Sequence, residues 1–252
     1  MDFITGETLY IDKPLKWTSF DVVKRIRGAL QHRLGRRIKV GHAGTLDPLA
    51  TGVMAVCTGR NTKLIDTLQA DVKEYVAEIT LGATTPSFDL ETPVDATYPT
   101  AHITRSLIES VLPQFRGTIS QIPPAFSACK VDGKRAYKMA RQGKDPGLKP
   151  KTLVIDEIEI LEFDDMRLTI RVVCSKGTYI RALARDIGAA LSSGGHLTAL
   201  RRTRVGDTGV NSCLTVNQAL ELIKTVEITM PDETPVHPEA DTQQIKTSQH
   251  NG

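Results

Sequence analysis

Strand-like runs in this chain follow one another with no helical run between them, as at residues 157–163 and 168–173. Parallel neighbours need a crossover of about a dozen residues or more, so such spacing dictates antiparallel pairing. Tyr75, Ala77, Ile79 and Leu81 alternate with Glu74, Val76, Glu78 and Thr80, the period of a half-buried strand. Residues 8–12 and 53–58 read as further short strands. One helix is signalled by Thr18, with Asp21 three residues on, ahead of Val22, Val23, Ile26 and Leu30; another by Ile103, Leu107, Val111 and Phe115 at i+4 spacing. Residues 135–142, closed by Gly143, and residues 179–191 make two more. The expectation is an α/β fold of the α+β type: a mixed, mainly antiparallel central sheet with flanking helices, not a doubly wound parallel one.

Residues 41–63, GHAGTLDPLATGVMAVCTGRNTK, set one carboxylate, Asp47, in a glycine-rich loop between His42 and Pro48. Pro48 fixes its own φ and biases Asp47 away from helix, while the glycines permit close backbone approach. That is how a backbone presents a carboxylate to a ligand, although Asp-Pro among glycines also occurs as an ordinary surface turn.

Basic charge is clustered although the net charge is only +3. Residues 24–39 hold seven Lys/Arg and no acid; residues 130–151 hold eight, against Asp132 and Asp145. Two such patches suit a phosphate backbone, and as solvated helix faces they would need no ligand. Residues 122–151 read as an insertion, with Pro123-Pro124 at its entry, a basic helix within and KDPGLKP at its exit. From Met230 onward hydrophobes almost vanish, and a disordered tail over residues 230–252 is expected. No apolar run approaches the roughly 18 to 20 residues of a membrane span, and residues 1–14 carry no apolar signal segment, so a cytoplasmic protein with no membrane association is expected. Four scattered cysteines without C-x-x-C or ligand-spaced histidines indicate neither disulfides nor a metal site, and read as small buried hydrophobes.

The 41–63 block resembles the catalytic motif of the bacterial B-type (TruB) tRNA pseudouridine synthases, which isomerise uridine 55 in the T loop of tRNA. Similarity continues in order through KEYVAEITLG (residues 73–82), QIPPAFSACKVDGKRAYKMARQG (121–143), CSKGTYIRALARDIG (174–188) and LTALRRTRVG (197–206), and covers roughly residues 8–225. A five-segment match in one order is far more specific than any short motif. The resemblance implies the pseudouridine synthase fold, with a cleft across the middle of the sheet and one catalytic domain over residues 1–229. The 122–151 insertion becomes a thumb that closes on the T arm. Too few residues follow to build the C-terminal RNA-binding PUA domain that many members carry.

It also implies roles. Asp47 becomes the nucleophile or base, Arg181 its partner in a bidentate pairing, and Tyr75 a ring that stacks on the target uracil and takes part in proton transfer. Substrate contacts fall on His42, Tyr179, Lys63 and Leu200 in the pocket and on Lys130, Lys134 and Arg141 in the thumb. Read locally, Gly177 ends a strand and Thr178 caps the helix that carries Arg181. No cofactor, no metal and no obligate protein partner are expected, and the protein is expected to act as a monomer on the tRNA T arm. Three other readings stay open on the residues alone: a guide-dependent RNA pseudouridine synthase, a tRNA-folding chaperone with incidental catalysis, and a carboxylate-dependent nucleoside hydrolase.

Overall fold

The structure, a computed structural model, describes residues 1–131 and 133–229. The tail expected to be disordered therefore lies outside the described residues. A ten-stranded sheet organises the chain: β1 (Thr8–Lys13), β2 (Val40–Ala43), β3 (Ala50–Thr58), β4 (Lys73–Leu81), β5 (Gly117–Gln121), β6 (Lys151–Asp164), β7 (Arg167–Cys174), β8 (Gly195–Val205), β9 (Thr208–Gly209) and β10 (Leu214–Thr215). Its order is β10-β1-β3-β8-β4-β7-β6-β5, with β2 paired to β3 and β9 to β8. Only β1 with β10 and β3 with β8 run parallel; every other pair in this sheet is antiparallel, the arrangement that strands without crossover helices demand.

Among the described residues six α-helices accompany the sheet: α1 (Ser19–Leu34), α2 (Ile65–Ala70), α3 (Arg105–Val111), α4 (Ala136–Ala140), α5 (Ile180–Ala190) and α6 (Val216–Thr225). The capping box forms as expected at α1: Thr18 Oγ1 accepts from the Asp21 N–H, and the Asp21 carboxylate accepts from the Thr18 N–H. The 103–115 periodicity is realised as a shorter helix. Thr104 caps α3, and Pro113 lies in the 3₁₀ turn Leu112–Phe115 that follows, because proline lacks the N–H needed to continue an α-helix.

Two apolar cores flank the middle of the sheet. One packs Ile79, Leu81, Ile158, Ile170 and Val172 against Leu183 and Ile187 of α5 and Ile108 of α3. The other packs Leu9, Ile11, Met54 and Val56 against Val22, Ile26 and Leu30 of α1 and Ala219 and Ile223 of α6. Between them lies the parallel junction of β3 and β8, where Gly52 pairs with Arg202. Gly52 has φ +107°, and a Cβ there would stand 2.1 Å from the Arg202 carbonyl oxygen. Only glycine permits this approach.

The insertion is an excursion between neighbouring strands, since Gln121 at the end of β5 and Lys151 at the start of β6 are register partners. It carries a two-stranded hairpin, Lys130–Val131 with Lys134–Arg135, and the short helix α4. No helix among the described residues is long and apolar enough to cross a membrane. All four cysteines are free thiols; Cys57 and Cys174 are buried, whereas Cys129 and Cys213 are only half-buried.

The alternation of β1 carries Lys13 inward in register with Leu9 and Ile11, and the lysine is fully buried. Its ammonium donates to the carbonyls of Pro14 at 2.8 Å and Trp17 at 2.6 Å. Burial pulls its pKa down to about 8 from 10.5; the charge of Asp47 opposes the fall and that of Arg202 adds to it. Between those two values the unfolded chain keeps a proton that the folded chain has released, so the Lys13 contribution to stability rises with pH across that window. Relative to a Lys13→Met variant, the parent is expected to gain unfolding free energy from about pH 8 to about pH 10.5. A constant difference between the two proteins over that range would exclude this coupling.

Candidate functional site

The Asp47 loop is held from both sides. Ser19, in the first turn of α1, donates its hydroxyl to the Leu46 carbonyl at 3.0 Å and accepts from the Leu46 N–H at 2.9 Å. The Lys16 N–H reaches the Pro48 carbonyl, and the Ala50 N–H closes back on the Asp47 carbonyl. Asp47 is thereby fixed at the mouth of β3, beside the central strands β8 and β4.

A cavity of about 480 Å³ opens over this point, lined in part by Asp47, Tyr75, Tyr179, Arg181, Leu200 and Arg202. That size suits a small-molecule or nucleotide ligand. Three buried cations, Lys73, Arg181 and Arg202, line it. Arg202 donates Nε to the Val53 carbonyl at 2.6 Å and Nη2 to that of Gly44 at 3.1 Å, which pins the glycine loop to β8.

Arg181, on the first turn of α5, has 4% of its side chain exposed. Nη2 lies 2.9 Å from Asp47 Oδ2 and donates also to the Phe126 carbonyl; Nη1 donates to the Ser87 carbonyl, and Nε lies 3.5 Å from Asp89 Oδ2. The pairing with Asp47 is thus a single contact rather than the expected bidentate one, because the rest of the fork is engaged by two other segments. An arginine this deeply buried needs such partners to offset the loss of water. Burial raises the Asp47 carboxyl above its ordinary value, with Asp89 adding to the rise and Arg181 opposing it. Since 42% of the Asp47 side chain stays open, solvent and the ion pair blunt that push and leave the carboxyl accessible.

Tyr75 points inward from β4 and is 8% exposed; burial pushes its phenol above the usual value, with Arg202 opposing. The Tyr179 hydroxyl lies 3.1 Å from Cys129 Sγ, and burial, reinforced by that contact, likewise raises its pKa. Tyr179, not Thr178, is the N-cap of α5. Its N–H donates to Gln121 Oε1, while the Thr178 hydroxyl turns back to the Ser175 carbonyl.

The other expected site residues divide. Leu200 lines the cavity. His42, on β2, is outside the lining; its Nδ1 is buried with no hydrogen-bond partner among the described residues, and burial, then Arg202, lowers its pKa. Lys130 and Lys134 stand exposed on the hairpin of the insertion, and Arg141 is paired with Glu91 at 2.7 Å. Lys63 lies elsewhere, in the 3₁₀ segment Gly59–Leu64 at the far end of β3. Sequence reasoning missed Asp89, Lys73 and Arg202. Arg202 shares the alternation of Leu200 along β8 and was in principle legible; Asp89 sits in an irregular turn whose only local mark is the run of hydroxyls Thr85, Ser87 and Thr92.

Comparison with known proteins gives a consistent result. Residues 31–180 match the family model described as "TruB family pseudouridylate synthase (N terminal domain)", and residues 181–236 match "tRNA pseudouridylate synthase B C-terminal domain". The chain is 64% identical over 229 residues to the tRNA pseudouridine synthase B of Phocaeicola vulgatus, covering 90% of this chain and 97% of the relative. It is 60% identical to that of Parabacteroides distasonis, covering 92% of this chain and 100% of the relative. Among solved structures, a Cbf5-Nop10-Gar1 complex matches with a TM-score of 0.65 and 30% identity over 88% of this chain and 55% of the other. An archaeal box H/ACA Nop10-Cbf5 complex matches with 0.62 and 29%, over 88% of this chain and 54% of the other.

Proposed function

We propose the reaction on one premise: the chain belongs to the TruB family of pseudouridylate synthases. It is a tRNA pseudouridine synthase. Its target is uridine 55 of the T loop, isomerised in the cytoplasm by a monomer that uses no cofactor. Residues 1–229 form the catalytic domain and residues 122–151 its thumb.

The observation that carries this reading is the Asp47–Arg181 pair beside a nucleotide-sized cavity. The bond from N1 to C1′ breaks, the uracil turns while held, and C5 bonds to C1′. C5 gives up its proton and N1 gains one, so the reaction is redox-neutral. Asp47 stabilises the electron-poor C1′ or adds covalently to sugar or base, and Arg181 keeps it ionised and aimed. Tyr75 and Leu200 flank the base, Tyr179 closes the cavity beside the thumb, and the neutral imidazole of His42 lies behind the loop. Extruding a stacked base costs a few kcal/mol, offset by stacking and phosphate contacts.

Tritium at C5 of the tRNA uridines tests the chemistry: isomerisation releases it to water, whereas a hydrolase liberates free uracil with its label intact. Release of labelled uracil would refute the isomerase assignment. The likeness to Cbf5, solved within complexes, favours one competing reading, guide-dependent action; modification of bare tRNA by the purified chain excludes it.

The thumb supplies a third prediction. Ser127 and Ala128 line the cavity and Phe126 holds Arg181, so a deletion must spare them and remove only the tip beyond Cys129. If about three phosphates are neutralised there, the slope of log K against log salt becomes shallower by roughly 2 to 3. Single-turnover rates fall as well, because an open cleft leaves the flipped uridine wet. An unchanged slope with an unchanged rate would make the tip an ordinary surface hairpin.

A further inference from the structure

Lys63, expected beside the uridine, instead lines a second cavity of about 260 Å³ with Arg36, Arg37, Lys39 and Arg60. All five cations are exposed, the lining contains no carboxylate, and none of the five forms an ion pair among the described residues. The surface is firmly built. Ile38 is buried beneath it; the Gly59 N–H donates to the Lys39 carbonyl and the Arg60 N–H to that of Thr5. Gly59, at φ +52°, brings the strand end so close to the N-terminal turn that a Cβ would meet the Ile4 carbonyl at 2.1 Å.

Position gives the cluster its meaning. Val40 pairs with Thr58 at this end of the β2–β3 hairpin, while Asp47 lies at the other. A strand of nine residues separates the two, a distance of about 26 Å at ~3.3 Å per residue. With the phosphates of one strand about 3.4 Å apart along the axis of a duplex, that distance spans about eight base pairs, longer than the stem of a T arm. Five unpaired cations spread around one concavity match a polyanionic strand better than one small anion.

We propose that this cavity is a second RNA phosphate site that grips the tRNA outside its T arm. The inference rests on tRNA being the substrate. Because the side chains of Arg36 and Arg37 are exposed and form no hydrogen bond or ion pair among the described residues, the double variant Arg36→Gln/Arg37→Gln keeps the fold. With an unmodified full-length tRNA transcript, its Kd rises roughly ten-fold near physiological salt and the salt slope becomes shallower by about 1.5. With an isolated T-arm hairpin RNA, its Kd and single-turnover rate equal those of the parent. Unchanged affinity for full-length tRNA would overturn the proposal, and so would equal weakening on both RNAs, which would assign the cavity to the T-arm site. Absence of pseudouridine formation by the parent on either RNA would instead refute the reaction, while the binding comparison would still decide the second site.

Discussion

Asp47→Asn is expected to lower single-turnover pseudouridine formation on the order of 10⁴-fold or more, while tRNA affinity changes by no more than a few-fold. Asparagine nearly preserves the size of the side chain but cannot act as an anionic nucleophile or base. The fold tolerates the change: the backbone turn uses the Asp47 carbonyl rather than its carboxylate, and Arg181 keeps Asp89 and the carbonyls of Ser87 and Phe126. Binding persists because Lys73, Arg181 and Arg202 still line the cavity, and a carboxylate facing an RNA backbone contributes repulsion, not affinity. Turnover within ten-fold of the parent would remove Asp47 from the chemistry.

Arg181→Lys keeps the charge and loses the fork. Four acceptors from the Asp47 loop, the 87–89 turn and the start of the insertion converge on one guanidinium, and an ammonium on a flexible stem cannot meet them together. Unmet, the carbonyls of Ser87 and Phe126 are left without a donor, Asp89 keeps only the Glu91 N–H, and Asp47 loses the contact that opposes its raised pKa. The single-turnover rate is expected to fall on the order of 10²-fold or more, with a lower melting temperature, since the same side chain ties the insertion to the core through the Phe126 carbonyl. A rate within a few-fold of the parent would show that Arg181 does not orient Asp47.

The parts of this fold that were legible from sequence are those in which one local signal decides the structure. The alternation at Tyr75 to Leu81, the paired runs that became β6 and β7, and the Thr18 capping box each reappear. β8 does not announce itself, although it crosses the middle of the site, because Arg201, Arg202 and Arg204 interrupt its apolar alternation and two register shifts break its period. β2 is hidden by its four-residue length, and Thr178 resembles a cap whose hydroxyl is in fact spent on Ser175.

The site divides in the same way. Asp47 was visible because its glycines and proline are local, and Arg181 was named through family resemblance. Its partners other than Asp47 were not visible, since Asp89, Ser87 and Phe126 lie 55 to 94 residues from it and meet it only through tertiary packing. Lys63 shows the converse, a motif residue that chain geometry carries to the far end of its strand.

The most direct test of the central claim is to incubate an unmodified tRNA transcript with purified protein, then map pseudouridine at single-nucleotide resolution and assay free uracil. The account predicts near-stoichiometric pseudouridine at position 55, no free uracil, and no product with Asp47→Asn. Pseudouridine confined to another position, abasic sites with released uracil, or equal product from the Asp47→Asn protein would contradict it.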